Sequence, residues 1–163
     1  MRGLALALLL AAGPAMAQDA PGYDGSLIPV CLDRVAAEDG DLAACIGAAA
    51  DPCMAQPGGA TTLGMVQCLT AETRDWDMLL NAWYAKAMER AKAMDAAGGG
   101  AEASAPVLKQ AQRNWIAYRD ETCRFEALRY QGGSMGGISR AGCLQDMTAR
   151  QALRLRTLAE GEG

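Results

Sequence analysis

Six cysteines and no histidine define the chemistry open to this chain. Cys31, Cys45, Cys53, Cys68, Cys123 and Cys143 are even in number and lie behind an export-like leader, which reads as a framework of structural disulfides. A metal site ranks far lower, because no C-x-x-C pair occurs and an oxidising compartment opposes thiolate ligation. Without imidazole there is no Ser-His-Asp or Cys-His machinery and no histidine-based zinc motif. Only carboxylates remain for acid–base work, and Asp77 with Asp120 is the pair that sequence position suggests. No nucleophile or pocket signature accompanies them. The expectation is a stapled, non-enzymatic binding domain without metal or cofactor.

The oxidised reading depends on residues 1–17. Arg2 is a positive n-region, Leu4 to Ala12 an apolar run, Gly13-Pro14 a break, and Ala15-Met16-Ala17 a cleavage site before Gln18. The run is too short to span a bilayer. No cysteine follows it closely, so no lipid anchor is expected. This predicts a cleaved Sec-type signal peptide and a bacterial protein that is periplasmic or secreted. Removing the first 17 of 163 residues leaves 146, enough for one domain with its own core. Losing Arg2 leaves 14 basic against 19 acidic residues, a formal charge of −5. No Lys/Arg run occurs, so nucleic acid is excluded as a partner class, and an acidic chain suits a cationic protein.

The elements that must hold the cysteines read as helices. Residues 18–29, rich in Gly, Pro, Asp and Ser, read as a flexible lead-in to a single helical domain over 30–160. Short helices are predicted over Val30–Ala37 and, capped by Asp41, over Leu42–Met54, with Gln56-Pro57-Gly58-Gly59 as the stop. Thr61 or Thr62 caps a long helix over about 62–96. Its apolar line is Val66, Leu69, Thr73, Trp76, Leu80, Trp83, Ala87, Ala91 and Met94. Ser104, with Pro106 in the first turn, opens a helix over about 104–131. Its buried line reads Leu108, Ala111, Trp115, Tyr118, Thr122 and Phe125, with an exposed Asp120–Arg124 pair. After a glycine-rich loop over 132–142, a last helix covers about 143–158, with Leu144, Thr148, Gln151, Leu155 and Leu158 inward and an Asp146–Arg150 pair outward. No alternating strand pattern is present. The fold class is all-α: a disulfide-stapled antiparallel bundle of three longer helices with short N-terminal helices. Trp76, Trp83, Trp115 and Tyr118 are predicted to be buried.

Six cysteines allow fifteen pairings. An antiparallel pair of the last two helices brings Cys123 to Cys143. Cys53 and Cys68 flank a tight turn, leaving Cys31 with Cys45. The rival set is Cys31–Cys53 with Cys45–Cys68.

The run Met65-Val66-Gln67-Cys68, then Trp76-Asp77 and Leu80-Asn81-Ala82-Trp83-Tyr84, resembles the first half of the LprI-type lysozyme-inhibitor domain. Gln110 to Cys123 resembles that family's AQ-x-x-W-x-x-(Y/F)-R-D-x-x-C helix. Gly132-Gly133-Ser134-Met135, Cys143-Leu144 and Thr148 to Arg150 are similar to its closing segment. The likeness covers about 53–158. It implies an exported, helical, disulfide-bonded domain and a protein that binds a cationic lysozyme. Unlike the name-giving lipoprotein, this chain has no anchoring cysteine, and Cys31 and Cys45 lie outside the likeness. The alternative is a non-enzymatic structural or stress-related envelope protein.

Two groups are candidates for a binding role. The loop residues Gly133, Ser134, Met135 and Gly136, pinned by Cys123 and Cys143, could enter an enzyme cleft, or they form a plain helix connector. The motif residues Asp77, Asn81, Tyr84, Trp115, Arg119 and Asp120 read as a buried helix–helix seam with an Arg–Asp or Arg–Asn network.

Overall fold

The computed structural model describes residues 20–98 and 100–161; the signal-like segment 1–17 lies outside them. Among the described residues there are five α-helices, one 3-10 turn and no strand. Helix α1 spans Leu27–Ala37, the 3-10 turn Leu42–Cys45, α2 Ala50–Met54, α3 Thr62–Ala96, α4 Ser104–Leu128 and α5 Met135–Glu160. The bundle of three long helices with short N-terminal helices is the one expected. No helix among the described residues is long and apolar enough to cross a membrane.

Helix α3 is the spine. Thr61 caps it by accepting the Gly64 amide at 3.0 Å. Its 35 residues extend about 52 Å at 1.5 Å per residue. Cys68, Leu69, Trp76, Leu80, Ala87 and Ala91 are buried along it, Trp83 is half-buried and Met94 is exposed. Helix α5 packs most extensively on α3, and α4 lies against both. One core joins Ile28, Leu32, Trp76, Leu80, Ala152 and Leu155; a smaller one gathers Ala50, Leu69 and Ala141 around the Cys53–Cys68 bond.

The three disulfides are Cys31–Cys45, Cys53–Cys68 and Cys123–Cys143, with Cα separations of 5.7, 5.8 and 5.4 Å. The rival pairing does not occur.

The N-terminal third differs from expectation in two ways. Helix α1 begins at Leu27, inside the segment read as lead-in, and the Tyr23 hydroxyl donates to Asp75 Oδ2 at 2.5 Å. The predicted helix over Leu42–Met54 is broken into the 3-10 turn and α2. Gly47 sits between them at φ +98°, a left-handed backbone that glycine adopts without a Cβ clash. The amides freed by that break are taken up by Glu72 of α3. Its Oε1 accepts from Gly47 N–H at 2.7 Å and from the Trp76 indole at 2.9 Å. Its Oε2 accepts from Ala49 N–H at 3.0 Å and Ala50 N–H at 2.6 Å. The side chain is fully buried, and four donors satisfy it.

Helix α4 is also started by a carboxylate from α3. Ser104 is its first residue rather than its cap. Asp95 Oδ1 accepts from Ser104 N–H and Oγ–H, each at 2.6 Å, and Oδ2 accepts from Ala105 N–H at 2.9 Å. The inward face of α4 is rotated from the predicted one. Ala105, Gln112 and Cys123 are buried, with Leu108, Trp115 and Arg119 half-buried, whereas Tyr118 is 65 % and Phe125 62 % exposed. Polar bonds and the disulfide select this face. Gln151 donates to Gln112 at 2.9 Å, Arg119 to Thr148 at 3.3 Å, and Cys123 is tied to α5. The expected Asp120–Arg124 pair is replaced by Arg119–Asp120 and Arg124–Glu121, while Asp146–Arg150 forms at 2.8 Å.

Helix α5 starts at Met135, eight residues before the predicted Cys143, so most of the glycine-rich segment is helical. Gly136 is buried, and a Cβ there would stand 2.9 Å from the Ala127 carbonyl oxygen. Close packing of α5 on the end of α4 offsets the roughly 1 kcal/mol that a glycine costs inside a helix.

Candidate functional site

The motif residues converge on a groove between α3 and α4. Asp77, Asn81 and Tyr84 stand at helical spacing on α3, facing Lys109, Arg113, Trp115 and Arg119 of α4. They line a shallow cavity of about 270 Å3. Asn81 Nδ2 donates to Asp77 at 3.0 Å. The Arg119 guanidinium lies 5.1 Å from the Trp115 ring centroid and is fixed on its other sides. Its Nε and Nη2 donate to Asp120 Oδ1 at 2.9 and 2.8 Å, and Nη1 donates to Thr148 of α5.

Five of the six motif residues thus line one groove, and Asp120 orients the guanidinium from outside it. The seam expected between α3 and α4 differs in its bonding: Arg119 links α4 to α5, and Asn81 bonds within α3. Asn81 is exposed and Tyr84 half-buried, so the groove opens to solvent. Lys109, Arg113 and Arg119 outnumber Asp77 on its walls, giving an acidic chain a locally cationic strip. Asp77 and Asp120 do not share a cavity lining.

The second candidate lies at the α4–α5 connection. The expected protruding loop is a tight turn. Gly133 N–H donates to Tyr130 O at 2.8 Å, and Gly136 N–H donates to Gly133 O at 2.9 Å. Gln131 and Gly132 carry the reversal at φ +49° and +84°. Gly136 is buried in the first turn of α5, so it is not a surface residue of the tip. Gly133, Ser134 and Met135 remain exposed, with Met135 at 49 %. Sequence reading passed over two neighbours: Tyr130, 44 % exposed, and Arg129, whose exposed guanidinium meets Glu126 at 2.8 Å. The sequence places both inside a helix that runs to 131, so nothing local marks them; α4 ends at Leu128 instead. The Cys123–Cys143 bond clamps both helices behind this tip.

Other titratable groups serve the scaffold. Burial raises the Tyr23 hydroxyl, and Asp75 adds to the effect, so Tyr23 remains a donor. Burial also raises Asp51, with the Glu72 charge behind it. The Ser104 hydroxyl and the two amides that open α4 hold Asp95 below the ordinary carboxylate range.

Three long helices and two short ones, stapled by three disulfides, carry an open groove between α3 and α4 and a clamped turn between α4 and α5. Residues 53–155 match the family model described as lysozyme inhibitor LprI, and the chain belongs to that family. The match takes in Cys53–Cys68, Cys123–Cys143, the groove and the tip; Cys31–Cys45 and α1 lie upstream. An uncharacterised protein of Rhizobium meliloti (strain 1021) is 33 % identical over 97 residues, which cover 57 % of this chain and 70 % of that protein. No solved structure matches the chain.

Proposed function

We propose that the chain is exported, cleaved before Gln18, and acts in the periplasm or outside the cell as a non-enzymatic protein that binds a cationic lysozyme and slows it. Family membership supports the class of partner. The observation that carries the reading is the clamped α4–α5 tip. A lysozyme cleft is lined by two catalytic carboxylates. The exposed tip offers such a cleft hydrogen-bond donors from Arg129, Tyr130 and Ser134 beside the apolar Met135. Tyrosine and arginine are the residues that most often dominate interface energetics. The Cys123–Cys143 bond fixes the tip in advance, which lowers the ordering cost of binding. Without residues 1–17 the net charge of −5, from 14 basic and 19 acidic residues, draws in a cationic partner.

The test is a turbidity assay of cell-wall lysis with the oxidised chain lacking residues 1–17. Inhibition at micromolar concentration is expected, lost in Ser134→Glu/Met135→Glu and in Tyr130→Glu. The groove variant Lys109→Glu/Arg113→Glu is expected to inhibit like the parent. Loss in the groove variant alone would move the binding surface to the groove. No inhibition of any lysozyme by folded protein would favour a structural or stress-related envelope role.

A further inference from the structure

We propose that two copies of this chain associate reversibly through the outward face of α4, antiparallel, about a two-fold axis near Tyr118. Five apolar residues mark that face: Val107, Ala111, Tyr118, Phe125 and Leu128. Val107, Tyr118, Phe125 and Leu128 are 49 %, 65 %, 62 % and 59 % exposed, and Ala111 is exposed as well. With Asn114 and Glu121 they recur at alternating steps of four and three from 107 to 128. That repeat defines a seam for a partner helix, about 32 Å long. Nothing within the described chain covers it, because Gln112, Arg119 and Cys123 turn the opposite side of α4 inward.

The stripe is complementary to itself in one direction only. Its N-terminal half is small, Val107 and Ala111, and its C-terminal half is bulky, Phe125 and Leu128. Antiparallel pairing sets small against bulky at both ends. Parallel pairing leaves a gap at one end and crowds the other. The polar positions agree. Asn114 and Glu121 flank Tyr118 almost symmetrically, so antiparallel order brings each Glu121 carboxylate toward the partner's Asn114 amide. Parallel order stacks Glu121 on its own copy, and like charges held together across an interface are destabilising. The exposed flank agrees too: Gln110, Ala117 and Arg124 present no like-charge clash in the antiparallel order. A seam of this length buries roughly 1,200 Å2 in total, the lower end of stable interfaces, which suits a dimer that dissociates on dilution. It leaves Tyr130, Ser134 and Met135 uncovered at opposite ends of the pair, so the dimer stands independently of the tip's role.

Sedimentation velocity on the oxidised, leaderless chain over a roughly hundredfold range into the high micromolar tests this. The sedimentation coefficient is expected to rise from monomer to dimer. Tyr118→Glu should remain monomeric at every concentration with unchanged circular dichroism, since the residue is exposed. Asn114→Arg should tighten the dimer several-fold by meeting the partner's Glu121; in a parallel pair it would set arginine against arginine and loosen it. A parent chain that stays monomeric throughout, a Tyr118→Glu variant that dimerises equally, or a weakened Asn114→Arg dimer would each overturn the proposal.

Discussion

Glu72 and Trp76 stand one turn apart on α3, and the Trp76 indole donates to the same carboxylate oxygen that accepts the Gly47 amide. One buried side chain therefore organises the core tryptophan and the irregular backbone between the 3-10 turn and α2. Glu72→Gln keeps the shape but turns an NH2 group toward donors. It is expected to cost about 1–3 kcal/mol, the penalty of a buried donor left unsatisfied. Trp76→Phe should cost about 1–2 kcal/mol through the lost bond and the reduced packing. Denaturant unfolding with disulfides intact measures both, and parent-like stability of Glu72→Gln would contradict the role assigned to that carboxylate.

Removing the Cys123–Cys143 clamp as Cys123→Ala/Cys143→Ala is expected to lower unfolding stability by about 2–4 kcal/mol, chiefly through greater freedom of the denatured chain. The same variant should inhibit lysozyme less well at temperatures where it is still folded, since the tip must then be ordered on binding. Stability and inhibition measured side by side separate the two effects.

Acid should loosen the α3–α4 turn. Asp95 is held below its ordinary range by the Ser104 hydroxyl and the Ala105 and Ser104 amides. A depressed carboxylate stabilises the fold above its unfolded value, near pH 4, and that contribution disappears as pH falls through the lower folded value. Asp51 is raised by burial, so its contribution has the opposite sign and is lost as pH rises through its folded value. Melting temperatures across the acid range should fall less steeply for Asp95→Asn than for the parent. An identical acid limb would show that Asp95 does not govern it.

Lysozyme binding by the chain lacking residues 1–17 should weaken as salt rises, mainly through slower association, because steering by its excess of 19 acidic over 14 basic residues is screened beyond about 10 Å at 0.1 M salt. Association rates measured by stopped flow at several ionic strengths check this. A salt-independent association rate would remove charge from the mechanism.

Two aromatic residues three positions apart on α4 should respond differently to truncation. Trp115 is half-buried under the Arg119 guanidinium, and Trp115→Ala is expected to cost about 1–3 kcal/mol. Tyr118 is exposed, and Tyr118→Ala should stay within about 0.5 kcal/mol in the monomer. Thermal or chemical unfolding at low protein concentration distinguishes them.

That contrast shows what pattern reading reaches. Helix α3 was legible from end to end, because a capping threonine, a heptad-like apolar line and a glycine stop all agree. The line that periodicity predicts for α4 straddles two faces: Leu108, Trp115 and Thr122 are half-buried, whereas Ala111, Tyr118 and Phe125 are exposed. The inward face was chosen by Gln112, Arg119 and Cys123, whose partners Gln151, Thr148 and Cys143 lie 39, 29 and 20 residues away. The start of α5 was hidden because Gly136 and Gly137 read as loop until the nearby Ala127 backbone is known. Glu72 drew no attention in a helix with several acids, since nothing local signals that its four donors converge. The motif residues on the groove are legible through the family resemblance, whereas Tyr130 and Arg129 fall inside the helix predicted to 131 and stand out only because α4 ends at Leu128.

Glu72 has one more consequence. It belongs to the matched stretch 53–155, yet three of its four donors, Gly47, Ala49 and Ala50, precede that stretch. The edge of the sequence family therefore does not coincide with the edge of the folding unit. A fragment trimmed to begin at Cys53 would leave a buried carboxylate with a single indole partner and uncover the Trp76 side of the core. The upstream segment acts as a lid that neutralises a polar defect inside the helical body. Excision of the matched stretch alone should yield a protein that aggregates, even with Cys53–Cys68 and Cys123–Cys143 intact.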